Sequence, residues 1–144
     1  MNESKTTPTL NSLLRGELSA VETYDQALAK AQGEPFEHEL GQLRAEHVSA
    51  AAALRQRVIV HGGEPESGSG AWGAFARAVE GTSKLFGNVA AVAALRQGEK
   101  QGASEYEAAL LNADLAEDCR HLIATRLLLE TRKHVLALDG LAHG

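Results

Sequence analysis

Apolar residues recur at three- and four-residue spacing along four stretches of the chain, and no stretch alternates with period two. This pattern predicts helices and no sheet. The first predicted helix runs from Leu10 to about Lys30, with Leu10, Leu14, Glu17, Val21, Tyr24 and Leu28 on one face. Thr7-Pro8-Thr9 reads as its start and Gln32-Gly33-Glu34-Pro35 as its stop. The second runs from Phe36 to His61, with Phe36, Leu40, Leu43, His47, Ala50, Leu54 and Val58 sharing a face before Gly62-Gly63-Glu64-Pro65. Ser67-Gly68-Ser69-Gly70 then reads as a flexible linker, Trp72 to Val79 as a short extra helix, and Gly81 and Gly87 as brackets of a break. A third long helix is predicted over Asn88 to Leu111, and a fourth over Leu115 to Leu138. The fourth is entered through Asn112-Ala113-Asp114 and closes near Gly140.

Helices of about 20 to 26 residues are about 30 to 39 Å long, enough to close a bundle. The expected fold is all-α: an up-down four-helix bundle in one domain over residues 1–144. It has a hairpin at 10–61, a long crossover at 62–87 and a second hairpin at 88–139. Parallel helices within such a bundle need a return along its whole length, and the linker after His61 is where that return begins.

An internal repeat carries most of the chemical information. Gly16-Glu17, then Tyr24, then Ala27-Leu28 recurs as Gly98-Glu99, Tyr106 and Ala109-Leu110, each displaced by 82 residues. The chain's 2 tyrosines hold the same repeat position. Helices one and three are therefore read as equivalent halves of a pseudo-symmetric bundle. Glu17 and Glu99 fall amid apolar neighbours, where a carboxylate costs several kcal/mol unless paired, protonated or metal-bound.

Folding the first hairpin back near Gly33 puts His47 opposite Glu17; folding the second near Asp114 puts Glu130 and His134 opposite Glu99. Glu17, His47, Glu99, Glu130 and His134 thus form a candidate ligand set at mid-bundle, with Tyr24 and Tyr106 as supporting phenols. Mixed oxygen and nitrogen donors suit iron or manganese, with zinc as a further option. The competing reading needs no metal: the glutamates are held by tyrosines and histidines, His47 is a satisfied core residue, and Glu130 and His134 make an exposed i,i+4 pair.

The segments Leu10-Asn11-Ser12-Leu13-Leu14-Arg15-Gly16-Glu17 and Val21-Glu22-Thr23-Tyr24 resemble the first helix of the ferritin-like DUF2383 family. Gly70-Ala71-Trp72-Gly73, Val79-Glu80-Gly81, Lys84-Leu85-Phe86-Gly87 and the Gly98-Glu99 helix extend the resemblance over most of the chain. It implies a ferritin-like bundle, a superfamily that often holds a carboxylate-bridged di-iron centre for oxygen, peroxide or iron chemistry. Such centres use a Glu on each of two helices and Glu-x-x-His on the other two. Here Arg44 stands three before His47 and Thr131 three before His134. A reduced mononuclear site, or a bundle that has lost its metal, matches the ligands present.

Composition narrows the partners. Nineteen acids against 14 Lys and Arg give a formal charge of −5, which argues against a nucleic-acid binder. No apolar run reaches the ~18 residues that span a bilayer, and the polar N-terminus lacks a signal-peptide core, so the expected address is cytoplasmic. Cys119 is the only cysteine, which excludes an internal disulfide and gives it a packing role. Asp118 reads as a first-turn acid complementing the helix dipole, and His38, His121 and His143 as exposed. Trp72, Phe75 and Phe86 read as a cap on the bundle end, or as a homodimer surface. The functional alternatives are an iron- or oxygen-handling bundle and a structural or stress-related oligomer.

Overall fold

The computed structural model describes residues 3–68 and 89–143, with side chains over 5–68 and 92–141. Among these residues every regular element is helical and there is no strand. Four helices make the bundle: α1 (Glu3–Lys30), α2 (Glu37–Val60), α3 (Val89–Leu110) and α4 (117–143). The short helix expected over Trp72–Val79, and Trp72, Phe75 and Phe86 with it, lie outside the described residues.

Side-chain pairs fix the helix directions. Tyr24 meets Glu99 while Tyr106 meets Glu17, so α1 and α3 run antiparallel. His47 meets Glu17 and Arg44 meets Asp25, which sets α2 antiparallel to α1. Arg96 with Asp139, and Arg132 with Glu107, do the same for α3 and α4. Glu46 with His134, Ser49 with Arg126 and Arg57 with Asp118 set α4 antiparallel to α2. It follows that α2 and α3 point the same way. The chain therefore leaves α2 at one end of the bundle and enters α3 at the other. The return starts along α1: Asn11 donates to the Glu64 carbonyl and accepts from the Glu66 amide, and Arg15 pairs with Glu66.

Glycine punctuates the chain where the backbone turns left-handed. Gly33 follows α1 with φ 81° and Gly62 follows α2 with φ 82°, conformations that cost glycine nothing. The helix start differs from the expected one, because α1 runs through Thr7-Pro8-Thr9 and begins at Glu3. Proline costs the interior of a helix one backbone hydrogen bond, and here tertiary contacts hold the extra turn. Thr6 Oγ1 donates to the Asp114 carbonyl and accepts from the Ala116 amide, and Lys5 pairs with Asp114. Thr6 thereby supplies an acceptor at the start of α4, whose own cap residue Ala116 has none. At the far end, Gly140 lies inside α4 instead of closing it.

A π-turn at Ile123–Leu127 interrupts α4. The Leu128 amide reaches back five residues to the Ile123 carbonyl, which absorbs one extra residue. Buried positions on α4 then fall at Cys119, Ile123, Leu127, Thr131, His134 and Leu138, a spacing closer to four than an unbroken α-helix allows. This explains how Leu127 and Leu128 are both buried while Leu129 is exposed.

Two apolar clusters fill the bundle. One gathers Leu10, Leu14, Leu54, Val58, Ile123 and Leu127; the other gathers Ala27, Leu40, Leu43, Leu95 and Leu138. Between them lies a layer of buried polar side chains.

Candidate metal centre

That layer consists of Glu17, His47, Glu99 and His134, each at most 5% exposed. Tyr24 and Tyr106 close over it, both buried. Each helix contributes because its buried stripe carries one ionisable carboxylate or imidazole: Glu17 between Leu14 and Tyr24, His47 between Leu43 and Ala50, Glu99 between Leu95 and Tyr106, and His134 between Thr131 and Leu138.

The tyrosines are exchanged between the repeat halves. Tyr24 Oη on α1 donates to Glu99 Oε2 on α3 at 2.6 Å, and Tyr106 Oη on α3 donates to Glu17 Oε2 on α1 at 2.5 Å. Applying the 82-residue offset to one contact yields the other. His47 lies between the two carboxylates, with Nδ1 2.5 Å from Glu17 Oε1 and Nε2 2.6 Å from Glu99 Oε2. His134 places Nδ1 3.2 Å from Glu99 Oε1 and Nε2 2.7 Å from Glu46 Oε1. The Tyr24 ring stacks on His47 at 5.3 Å between centroids, and the two imidazoles tilt against one another at 4.7 Å.

Every ring nitrogen of the two histidines faces a carboxylate oxygen, which accepts and does not donate when ionised. This arrangement favours the protonated form of both rings in the metal-free protein. Burial alone would lower the His47 value, but the charges of Glu17 and Glu99 and their hydrogen bonds outweigh it and hold it well above the ordinary range. His134 is also raised: burial opposes, while the hydrogen bond and charge of Glu99 prevail over repulsion from His47. Burial pushes Glu99 up, yet the charge of His47 and the hydrogen bonds of both histidines bring it down to about 2. Tyr24 and Tyr106 are pushed well above the phenol range, first by burial and then by the neighbouring glutamates, so they remain proton donors.

One continuous chain of hydrogen bonds results. It runs from Tyr106 through Glu17, His47, Glu99 and His134 to Glu46, whose side chain is 49% exposed. A cavity between α1 and α3 lies beside this chain, walled by Gly16, Ala20, Gly98 and Gly102, with the glutamates and tyrosines lining it. A methyl group placed on Gly16 would touch nothing within 4 Å, so the wall there has room to spare.

Of the residues expected from the sequence, Glu17, His47, Glu99, His134, Tyr24 and Tyr106 are brought together. Glu130 is not. It pairs with Arg126 one turn away on α4, while Thr131 occupies the buried row that leads to His134. Thr131 Oγ1 donates to the Leu127 carbonyl, and Arg44 pairs with Asp25 at the surface. His134 is buried, against the alternative of an exposed pair with Glu130. Glu46 is the participant that sequence reasoning missed. Ideal helix geometry turns it about 100° from His47, away from that hairpin but toward α4 of the other. The register between α2 and α4 is the signal that identifies it.

The ligand atoms of His47, Glu99 and His134 all lie within 4.8 Å of one another, close enough for one ion. Among the described residues no helix is long and apolar enough to cross a membrane. The model of the family described as a domain of unknown function (DUF2383) matches residues 5–112. The chain belongs to that family; the match covers all but the first residues of α1 and the whole of α2 and α3, including Glu17, His47 and Glu99, and stops short of α4. No curated protein and no solved structure gives a significant match.

Proposed function

We propose that this member of the DUF2383 family is a ferritin-like bundle that holds one divalent metal ion, iron foremost, at His47, Glu99 and His134, with Glu17 beside it. The observation that carries this reading is the convergence of two imidazoles and one carboxylate, all buried, within 4.8 Å. Two histidines and one carboxylate suit non-haem ferrous iron, and manganese and zinc accept the same donors. A single ion is favoured over a pair, because Arg44 and Thr131 stand where Glu-x-x-His would supply bridging carboxylates.

When bound, the ion would supply an open coordination position for dioxygen or peroxide. The protein's own residues prepare that chemistry. Tyr24 and Tyr106 fix the outer oxygens of Glu99 and Glu17 by hydrogen bonds, as supporting donors orient metal ligands elsewhere. The apolar clusters above and below exclude water, and the glycine-walled cavity leaves room for a small molecule beside the carboxylates. Metal uptake requires each histidine to give up a proton from the nitrogen that ligates. His134 Nε2 faces Glu46 Oε1 at the half-exposed rim, which offers that proton a way out to solvent.

A second reading is a structural bundle without metal, favoured by the completeness of the hydrogen bonding just described. Elemental analysis before and after anaerobic ferrous loading and desalting separates the two. The metal reading expects near-stoichiometric iron, lost in Glu99→Gln and in His134→Ala. It also expects thermal stabilisation of about 2.7 kcal/mol when the metal is at 100 times its dissociation constant. Iron at background level in the unaltered protein would leave the structural reading standing.

A further inference from the structure

A second set of metal-type donors lies at the end of the bundle, away from the central layer. His61 follows α2 directly, and Asp118 and Cys119 sit in the first turn of α4. His61 Nε2 is 3.0 Å from Asp118 Oδ1, and Cys119 Sγ is 3.7 Å from the same oxygen. The three ligand atoms lie within 4.8 Å of one another. His121, on the same helix as Asp118, is exposed as its sequence position suggests, and the histidine that reaches Asp118 comes from the other hairpin.

We propose that His61, Asp118 and Cys119 form a second, independent site for a thiophilic divalent cation of the zinc type, joining the end of α2 to the start of α4. Three donors of mixed nitrogen, oxygen and sulfur character suit zinc, with solvent completing a tetrahedron. The three residues differ in burial in the way a loadable site needs: Cys119 is fully buried, the His61 side chain is 11% exposed, and Asp118 at 39% opens to solvent. Arg57 holds Asp118 Oδ2 at 2.5 Å, His61 Nε2 faces both carboxylate oxygens, and Oδ1 is the one that also reaches Cys119. The start of α4 favours anionic ligands through its backbone dipole.

The proton balance is simple. The thiol is the resting form, since burial and then the Asp118 charge push it up to about 12 against a smaller pull from Arg57. Binding forms metal bonds to Cys119 Sγ, His61 Nε2 and Asp118 Oδ1 in place of bound water. The Cys119 proton goes to solvent, and the proton that His61 Nε2 donates to Asp118 leaves that nitrogen, with no change in oxidation state.

Cobalt(II) is the probe, because a thiolate ligand gives it a near-ultraviolet charge-transfer band that oxygen and nitrogen ligands do not. The full-length protein, reduced and free of oxygen, is titrated with cobalt and then with zinc. The expected result is a thiolate band that saturates and is erased by zinc. The band should be absent in Cys119→Ser and need about tenfold or more cobalt in His61→Ala. It should survive unchanged in Glu99→Gln, which disables the central cluster, so this site stands or falls separately from the proposed iron site. Cys119→Ser is checked for native helicity by circular dichroism; His61→Ala, at the bundle end, provides the second test should that variant unfold. No thiolate band in the unaltered protein, or a band indifferent to His61→Ala, would overturn the proposal and leave an ion-pair clasp of Arg57, His61 and Asp118.

Discussion

The two halves of the repeat agree in their acids and phenols and differ in their imidazoles. Glu17 and Glu99 each receive a tyrosine from the opposite half. His47, by contrast, binds both glutamates, whereas His134 binds one and turns its other nitrogen to Glu46 at the rim. The carboxylates and phenols lie on α1 and α3, which face each other across the pseudo-twofold axis. The histidines lie on α2 and α4, where the π-turn in one helix alone breaks the equivalence. The comparison teaches that one histidine is the keystone of the metal-free network and the other its outlet.

Removing the keystone should have the largest effect. His47→Ala leaves two buried carboxylates facing each other, and should destabilise the metal-free protein by about 3–5 kcal/mol in denaturant titration near pH 6. His134→Ala should cost less, about 1.5–3 kcal/mol, because Glu46 can return to water. Equal losses would contradict the unequal roles. The pH dependence sharpens the same point. Both histidines are raised above their ordinary 6.5, so their contribution is complete below that pH and is lost as pH climbs through the raised values. Glu99 is lowered from 4.5 to about 2, so its contribution is present above 4.5 and is lost as pH falls toward 2. Metal-free protein should therefore melt highest between about pH 4.5 and 6.5, and His47→Ala should flatten the alkaline side of that profile.

The tyrosines test the symmetric half of the comparison. Tyr24→Phe and Tyr106→Phe each remove a hydrogen bond to a buried carboxylate, and should each cost about 1–3 kcal/mol. The two losses should agree within about 0.5 kcal/mol if the halves are equivalent at these positions. The smallest effect is expected for Glu46→Gln, at about 0–1 kcal/mol, because half-exposed ion pairs contribute little. Its signature is instead a shift of the His134 imidazole signals in NMR, with those of His47 unmoved.

The repeat and the hairpins made most of this layer legible in sequence. The 82-residue offset singles out Glu17, Glu99 and the tyrosines, and folding back each hairpin supplies His47 and His134. What escaped belongs to contacts between hairpins. Glu46 meets His134 only because α2 and α4 are neighbours, a relation no local spacing encodes. Which tyrosine serves which glutamate is likewise decided by the α1–α3 register. The π-turn escaped too, since one extra residue in a leucine-rich run looks like an ambiguous face. Pro8 read as a boundary because the contacts of Thr6 and Lys5 with the start of α4 are tertiary.

The crossed tyrosines also bear on how the chain is assembled. Each hairpin supplies its own glutamate with an imidazole but not with the phenol, which resides in the other. Two copies of one hairpin, paired about a twofold axis, would satisfy both, so the layer has the form of a homodimer contact fused into a single polypeptide. Severing the crossover should then yield two fragments that remain unstructured apart and regain helicity on mixing, each serving as the other's template.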